Sequence, residues 1–144
     1  MPAQKLAQFV PRLIAQVIDA VVVLLVTAGL VLAGMLWNPQ WGLEGQSLLG
    51  LTVDQFALVA AVIIGLIYHT ALASVWGATV GKLVLGMRVV RVNGDAVAWW
   101  DALLRTVGLL ASLVTLGIVF LWIARDRRNQ GLHDKLAGTL VVRV

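Results

Sequence analysis

Three polar residues mark the start of the first apolar segment of this chain: Arg12 just before it, and Gln16 and Asp19, which with Thr27 interrupt it. Spaced four and then three residues apart, they fall on one face of a helix, with Arg12 and Asp19 two turns, or about 10 Å, from each other. A carboxylate two turns inside an apolar helix costs at least about 2.5 kcal/mol on insertion scales unless it finds a partner or a proton. Two chemistries suit such a residue. Asp19 could take up and release a proton or an ion on a conduction path, with His69 of the second apolar segment as another titrating group. Alternatively, Asp19 is a fixed member of an Arg–Asp network that locks helices to a segment at the membrane surface. Arg12, reaching part-way through Gln16, and Arg105, one helical turn beyond Asp101, are the candidate cations. Asp19 lies nearer an edge than the midplane, where transporter sites usually sit, which favours the structural role. His69 reads first as a packed histidine that hydrogen-bonds another helix.

Covalent chemistry finds little footing. The absence of Cys removes disulfides, thiolate nucleophiles and thiolate metal sites. His133-Asp134 invites a metal or dyad reading, but a metal usually needs three or four ligands and the other His lies in an apolar segment. Gly77-Ala78-Thr79-Val80-Gly81-Lys82 departs from a phosphate loop, having three residues between its glycines and Leu83 after the Lys. With no nucleophile–base pair, the expectation is a protein that is not an enzyme, with no cofactor and no metal.

The elements that must position these residues are set by composition. Of 144 residues, 60% are hydrophobic and 12% charged, and the mean hydropathy is +0.94. A soluble domain is nearer about 45–50% apolar and about 25% charged. So short a chain has too little interior for the excess, and lipid is the remaining solvent. The first span reads 13–37, about 37 Å as a helix, and the second 56–76. In the second, Ala57, Ala61, Gly65, His69 and Ala73 recur every four residues, a small-residue face where another helix can pack. A third apolar stretch covers 101–124.

Charges set the topology. Lys5 and Arg12 precede the first span, residues 38–55 hold Glu44 and Asp54 without Lys or Arg, and 77–100 hold Lys82, Arg88 and Arg91 against Asp95. The tail, 125–144, carries Arg125, Arg127, Arg128, Lys135 and Arg143 against Asp126 and Asp134. The positive-inside rule places the N-terminus, the 77–100 loop and the tail in the cytoplasm, which an odd number of crossings cannot give. A break at Thr115-Leu116-Gly117 would turn 101–124 into a re-entrant hairpin, roughly 100–113 and 117–124; a single third crossing is the alternative. The basic run Arg125–Arg128 reads as an anchor on anionic headgroups, and a nucleic-acid partner is not expected. Trp37, Trp41, Trp76, Trp99, Trp100 and Trp122 sit at predicted span ends, as an aromatic belt would.

Residues 77–98 read as a Gly-rich interfacial loop, with Gly77, Gly81 and Gly86 turning the chain and the Lys82 ammonium directed at headgroups, followed by a strand. The strand signal is Met87–Val92 closed by Asn93-Gly94; Thr139–Val144 is a second β-branched run, and the two are expected to pair as a small cytoplasmic ribbon. The architecture expected is a single α-helical membrane domain, two full spans and a broken or spanning third segment, with that two-stranded ribbon.

These residues resemble the RDD family of small multi-pass membrane proteins, named for an Arg and two Asp. Arg12 and Asp19 look like the first two. The second Asp lies in a pattern matched by Gln130, Leu132, His133, Asp134, Ala137, Gly138 and Thr139. Thr79-Val80-Gly81-Lys82 is similar to the family's Thr-Pro-Gly-Lys, with Val80 in place of Pro, and Ala102-Leu103-Leu104-Arg105 resembles another recurrent stretch. The resemblance covers about residues 9–144. It implies a prokaryotic cytoplasmic-membrane protein, gives Asp134 a place beside Arg12, Asp19 and Arg105 in one interfacial charge cluster, and carries a suspicion of transport without catalytic residues. Two functions follow as expectations. The first is an accessory, assembly or scaffold component of a larger membrane complex, bound to other subunits or to itself. The alternative is an oligomeric ion- or proton-coupled transporter using Asp19 and His69.

Overall fold

The computed structural model describes residues 6–41, 43, 49–114 and 130–144. In chain order the elements are α1 (Phe9–Trp37), α2 (Val53–Trp76), α3 (Val80–Val84), β1 (Met87–Arg91), α4 (Trp99–Val114), α5 (Leu132–Leu136) and β2 (Thr139–Arg143).

α1 starts four residues ahead of the expected span and so includes Arg12. Pro11 is no obstacle, because it occupies the first turn, where a backbone N–H has no intrahelical acceptor to lose. α2 also starts early. Its entry is fixed by Thr52, whose backbone N–H donates to Gln55 Oε1 at 3.1 Å, and it ends where Gly77 takes φ 67°. Only 11% of the most apolar window of either helix is buried, so side chains such as Leu24, Leu25, Leu32, Leu58 and Ile67 face outward along both rods. A surface of that kind needs lipid or protein around it, and α1 and α2 are each long enough to span a bilayer. Of the third apolar stretch, 101–114 is helical and belongs to α4, and 115–124 lies outside the described residues, as do the proposed break, Trp122 and the basic run 125–128.

The dense part of the molecule lies at one end of the helix pair, where α1 begins and α2 finishes. There β1 and β2 pair antiparallel with Met87 opposite Arg143 and Val89 opposite Val141, as the sequence suggests. β2 is bounded on its other side by the chain before α1: Leu6 bridges Val142, and Ala7 N–H donates to the Val141 carbonyl at 2.9 Å. Around this sheet a core forms from Ala7, Ala15, Ala73, Met87, Val89, Val97, Ala102 and Val141.

Two expectations change. Residues 80–84 are not a surface loop but the short helix α3, folded back on α1. Gly81 permits this, because a Cβ there would drive into the Ala15 carbonyl. Lys82, carried inward by that contact, is buried instead of reaching headgroups. Trp41 leaves the expected belt: it is fully buried, packed on Gly34 and edge-on to Phe56 at 4.9 Å, with its indole N–H 3.4 Å from the Leu51 carbonyl. Trp37, Trp76, Trp99 and Trp100 are exposed.

Gly81→Ala is expected to cost about 1–3 kcal/mol through overpacking. Gly65→Ala, where nothing lies within 4 Å of an added Cβ, is expected to be neutral or stabilising. Thermal midpoints of both variants in mild detergent check the contrast.

Candidate functional site

Among the described residues, six ionisable side chains at the sheet end are more than nine-tenths buried: Arg12, Asp19, Lys82, Arg105, His133 and Asp134. Apart from the adjacent His133 and Asp134, each comes from a different turn or element, and they fall into two centres and a cavity.

The first centre is Asp134, in the first turn of α5 and fully buried. Gly131 N–H donates to Oδ2 at 3.1 Å, which closes the turn locally. Arg12 Nη1 reaches Oδ2 at 2.6 Å, and Arg105 Nη2 reaches Oδ1 at 3.0 Å. The Arg12 guanidinium also donates through Nε to the Ala7 carbonyl at 3.2 Å and through Nη2 to the Val141 carbonyl at 3.5 Å. One arginine on the first turns of α1 thus holds the N-terminal segment, α5 and β2. Burial alone would raise the Asp134 carboxyl, but Arg105 and Arg12 outweigh it and hold the group well below the usual carboxylate range. His133 Nε2 lies 3.6 Å from Oδ1. Burial, with Arg105 and Lys82 adding to it, lowers the His133 imidazole to about 4, so it is neutral at pH 7. α5 approaches α4 closely because Gly108 has no Cβ, which would sit 2.8 Å from that of His133.

The second centre is Asp19, also fully buried. Its Oδ1 accepts from the Tyr68 hydroxyl at 2.7 Å and Gly81 N–H at 2.8 Å, and its Oδ2 from the Thr79 hydroxyl at 2.5 Å. Tyr68 in turn accepts from Val80 N–H at 3.1 Å. All three donors are neutral, and among the described residues no cation lies within 4.0 Å of the carboxylate.

The third feature is a cavity of about 20 Å³ between α1, α2, α3, α4 and α5, lined by Gln16, His69, Lys82, Arg105, Thr106 and His133. Burial, followed by the nearby Arg105, lowers the Lys82 ammonium to about 7.

The structure therefore brings Arg12, Arg105 and Asp134 into contact and gives Asp19 a separate set of partners. Arg105 does not pair with Asp101: that carboxylate holds Arg91 at 2.6 Å and caps α4 through Ala98 N–H at 3.1 Å, while Arg105, one turn on, turns inward. His69 lines the cavity and stacks edge-on against Tyr68 at 5.2 Å. On the small-residue face Ala73 is in the chain's own core, Ala57 and Ala61 are half-buried, and Gly65 adjoins open space. Sequence reasoning missed Tyr68, Thr79 and Lys82 as neighbours of Asp19. Their signal was weak: a lone hydroxyl in a span, and a Thr-x-Gly-Lys turn whose inward fold depends on Gly81. Among the described residues no group of three or more His, Cys, Asp or Glu could hold a metal ion.

The pattern that defines the RDD family matches residues 6–138. Two proteins of Bacillus subtilis (strain 168) are similar. The uncharacterized membrane protein YteJ is 29% identical over 84 residues, 58% of this chain and 51% of YteJ. The uncharacterized protein YxaI is 27% identical over 139 residues, 95% of this chain and 91% of YxaI. The match to YteJ spans about half of that protein's length. No solved structure matches the chain.

Arg12→Ala leaves Asp134 with one guanidinium in a dry site, and a loss of about 3–5 kcal/mol is expected in detergent melts. The folded-state pKa of His133, about 4 against an ordinary 6.5, means the unfolded chain binds more protons between those values, so stability rises with pH across that window. His133→Gln is expected to flatten the rise between pH 4 and 6.5 in the same melts.

Proposed function

The chain belongs to the RDD family of multi-pass membrane proteins, and from that premise we propose that it is an oligomeric transporter coupled to ions or protons. The observation that carries this reading is the group of six buried ionisable side chains, counted among the described residues, packed against two helices long enough to span a membrane. Removing an ion from water costs several kcal/mol even after relaxation, and a fold needing only stability meets the same volume with apolar residues. Ionisable groups beside membrane spans more often serve a path than a scaffold.

Asp19 has the central role in this proposal. Its charge is held by a hydroxyl pair and one backbone N–H instead of by an ion pair. Such a carboxylate can accept a proton or a cation without first breaking a salt bridge. His69 lies one residue beyond Tyr68 and borders the cavity, a suitable relay from Asp19. The Arg12–Asp134–Arg105 ion pairs form the rigid frame around it. Two spans enclose little, so the pathway is completed between copies of the chain, through the outward apolar faces of α1 and α2. Small size, small-residue faces and the absence of a midplane acid favour an accessory subunit, but Ala73 of that face is taken up by the chain's own core. The proposal treats the whole chain as one domain and assigns it no covalent chemistry and no cofactor.

For orientation, we place the sheet end in the cytoplasm, against anionic headgroups, because Arg88, Arg91 and Arg143 lie on it and residues 38–55 carry no Lys or Arg. A reporter active only outside the cytoplasm is expected to stay silent when fused after Val144 and to be active when inserted between 38 and 52.

Proteoliposomes test the activity. With a sodium or potassium gradient and an internal pH dye, the parent protein is expected to move protons or cations. Asp19→Asn is expected to lower the flux at least about tenfold while keeping the parent's elution profile. Vesicles that stay silent with folded parent protein under every cation gradient overturn the reading.

A further inference from the structure

We propose that the cavity bordered by Gln16, His69, Lys82, Arg105, Thr106 and His133 binds one small monatomic anion of the size and charge of chloride. Four observations converge on it. The first is charge. Among the described residues, the side chains more than nine-tenths buried include three cations, Arg12, Lys82 and Arg105, against two carboxylates, Asp19 and Asp134. Arg12 and Arg105 share Asp134, and Asp19 is occupied by Tyr68, Thr79 and Gly81. With Lys82 protonated, one positive charge is left over among the described residues, and Lys82 has no carboxylate within 4.0 Å there.

The second observation is a missing acceptor. Arg105 Nη1 is buried and has no hydrogen-bond partner among the described residues, although Nη2 of the same guanidinium is engaged by Asp134. A buried guanidinium N–H without an acceptor is rare in a folded protein. The third is the lining itself. It offers the donors of Lys82, Arg105 and the Gln16 amide, and none of its side chains is a carboxylate. The fourth is size. About 20 Å³ is room for one small occupant of the size of a water or a monatomic ion. A water would satisfy Nη1 but leave the charge; a halide answers both.

Binding at this place is linked to a proton. Lys82 faces Gln16 and Asp19 of α1, with Arg12 below them, His69 of α2, Arg105 of α4, and His133 and Asp134 of α5. Burial first and then the two arginines pull its ammonium down to about 7, and the two carboxylates act the other way. An added anion shifts this balance toward the charged ammonium, so the halide and a proton enter together. Affinity is therefore greater at pH 6 than at pH 8, falling at most about tenfold per pH unit above the Lys82 value.

The site stands apart from the transport reading, because it is tested at equilibrium without a gradient. The purified chain in mild detergent and gluconate buffer is titrated with chloride while the ³⁵Cl line width is followed. Melting midpoints are compared in chloride, bromide, gluconate and sulfate at matched ionic strength. At pH 6 the expected result is excess line broadening that bromide reverses, and a midpoint raised by the two halides alone. Both effects shrink at pH 8. Lys82→Met is expected to abolish them, and Gln16→Leu, which keeps every charge, to weaken halide binding several-fold. Should Lys82→Met fail to fold, the parent and Gln16→Leu decide the matter. Equal midpoints in all four salts at pH 6, no excess broadening with the parent, or undiminished broadening in Lys82→Met or, where that variant does not fold, in Gln16→Leu overturns the proposal.

Discussion

The Asp134 carboxylate is the point on which the rest of this structure depends. It has no solvent exposure, and two guanidiniums from distant parts of the chain converge on it. Arg12 brings α1 and, through the Ala7 carbonyl, the N-terminal segment; Arg105 brings α4; Asp134 itself brings α5 and the strand that follows. A buried ion pair contributes little net stability compared with a well-packed apolar substitute, yet it is strongly directional. In a molecule whose long helices are apolar on nearly every side, direction is what apolar contacts cannot supply. Leucine against lipid and leucine against leucine are almost equivalent, so the polar anchor sets which helix face turns inward.

This division explains the uneven packing. Along most of α1 and α2 the side chains face outward, and the buried core gathers at the sheet end from small residues such as Ala7, Ala15, Ala73 and Ala102. Alanines and glycines there let polar groups meet across short distances. Gly81 on Ala15 brings a backbone N–H to Asp19, and Gly108 against His133 brings α5 to Arg105. Close backbone approach and buried charge are thus two parts of one arrangement: without the first, the second would be left unpaired.

Much of this was legible in the sequence, and the remainder was illegible for physical reasons. Hydropathy located α1 and α2 to within four residues at their starts, because twenty-odd apolar residues admit one reading; α2 starts early at the Thr52 cap, and α1 starts early because its first turn tolerates Pro11. The β-branched runs at 87–91 and 139–143 announced strands that do pair. The pairing of Arg12 with Asp134 was visible through family resemblance but not through spacing, since nothing local relates residues 122 positions apart. Lys82 was misread because a lysine beside a span usually reaches outward, and only the tertiary contact at Gly81 turns it in. Asp101 and Arg105 satisfied a helical spacing rule, yet each found a better partner across space, Arg91 and Asp134. Local rules give the options, and long-range geometry chooses among them.

The bridge between Leu6 and Val142 bears on how the protein is made. The residues that satisfy Arg12, namely Asp134 and the Val141 carbonyl, are synthesised long after α1 has left the ribosome. During that interval the Arg12 guanidinium has the Ala7 carbonyl but not its carboxylate. Those contacts close only once residues 130–143 have emerged. A chain that stops before residue 130 therefore carries the Arg12 charge without the carboxylate that neutralises it in the folded protein.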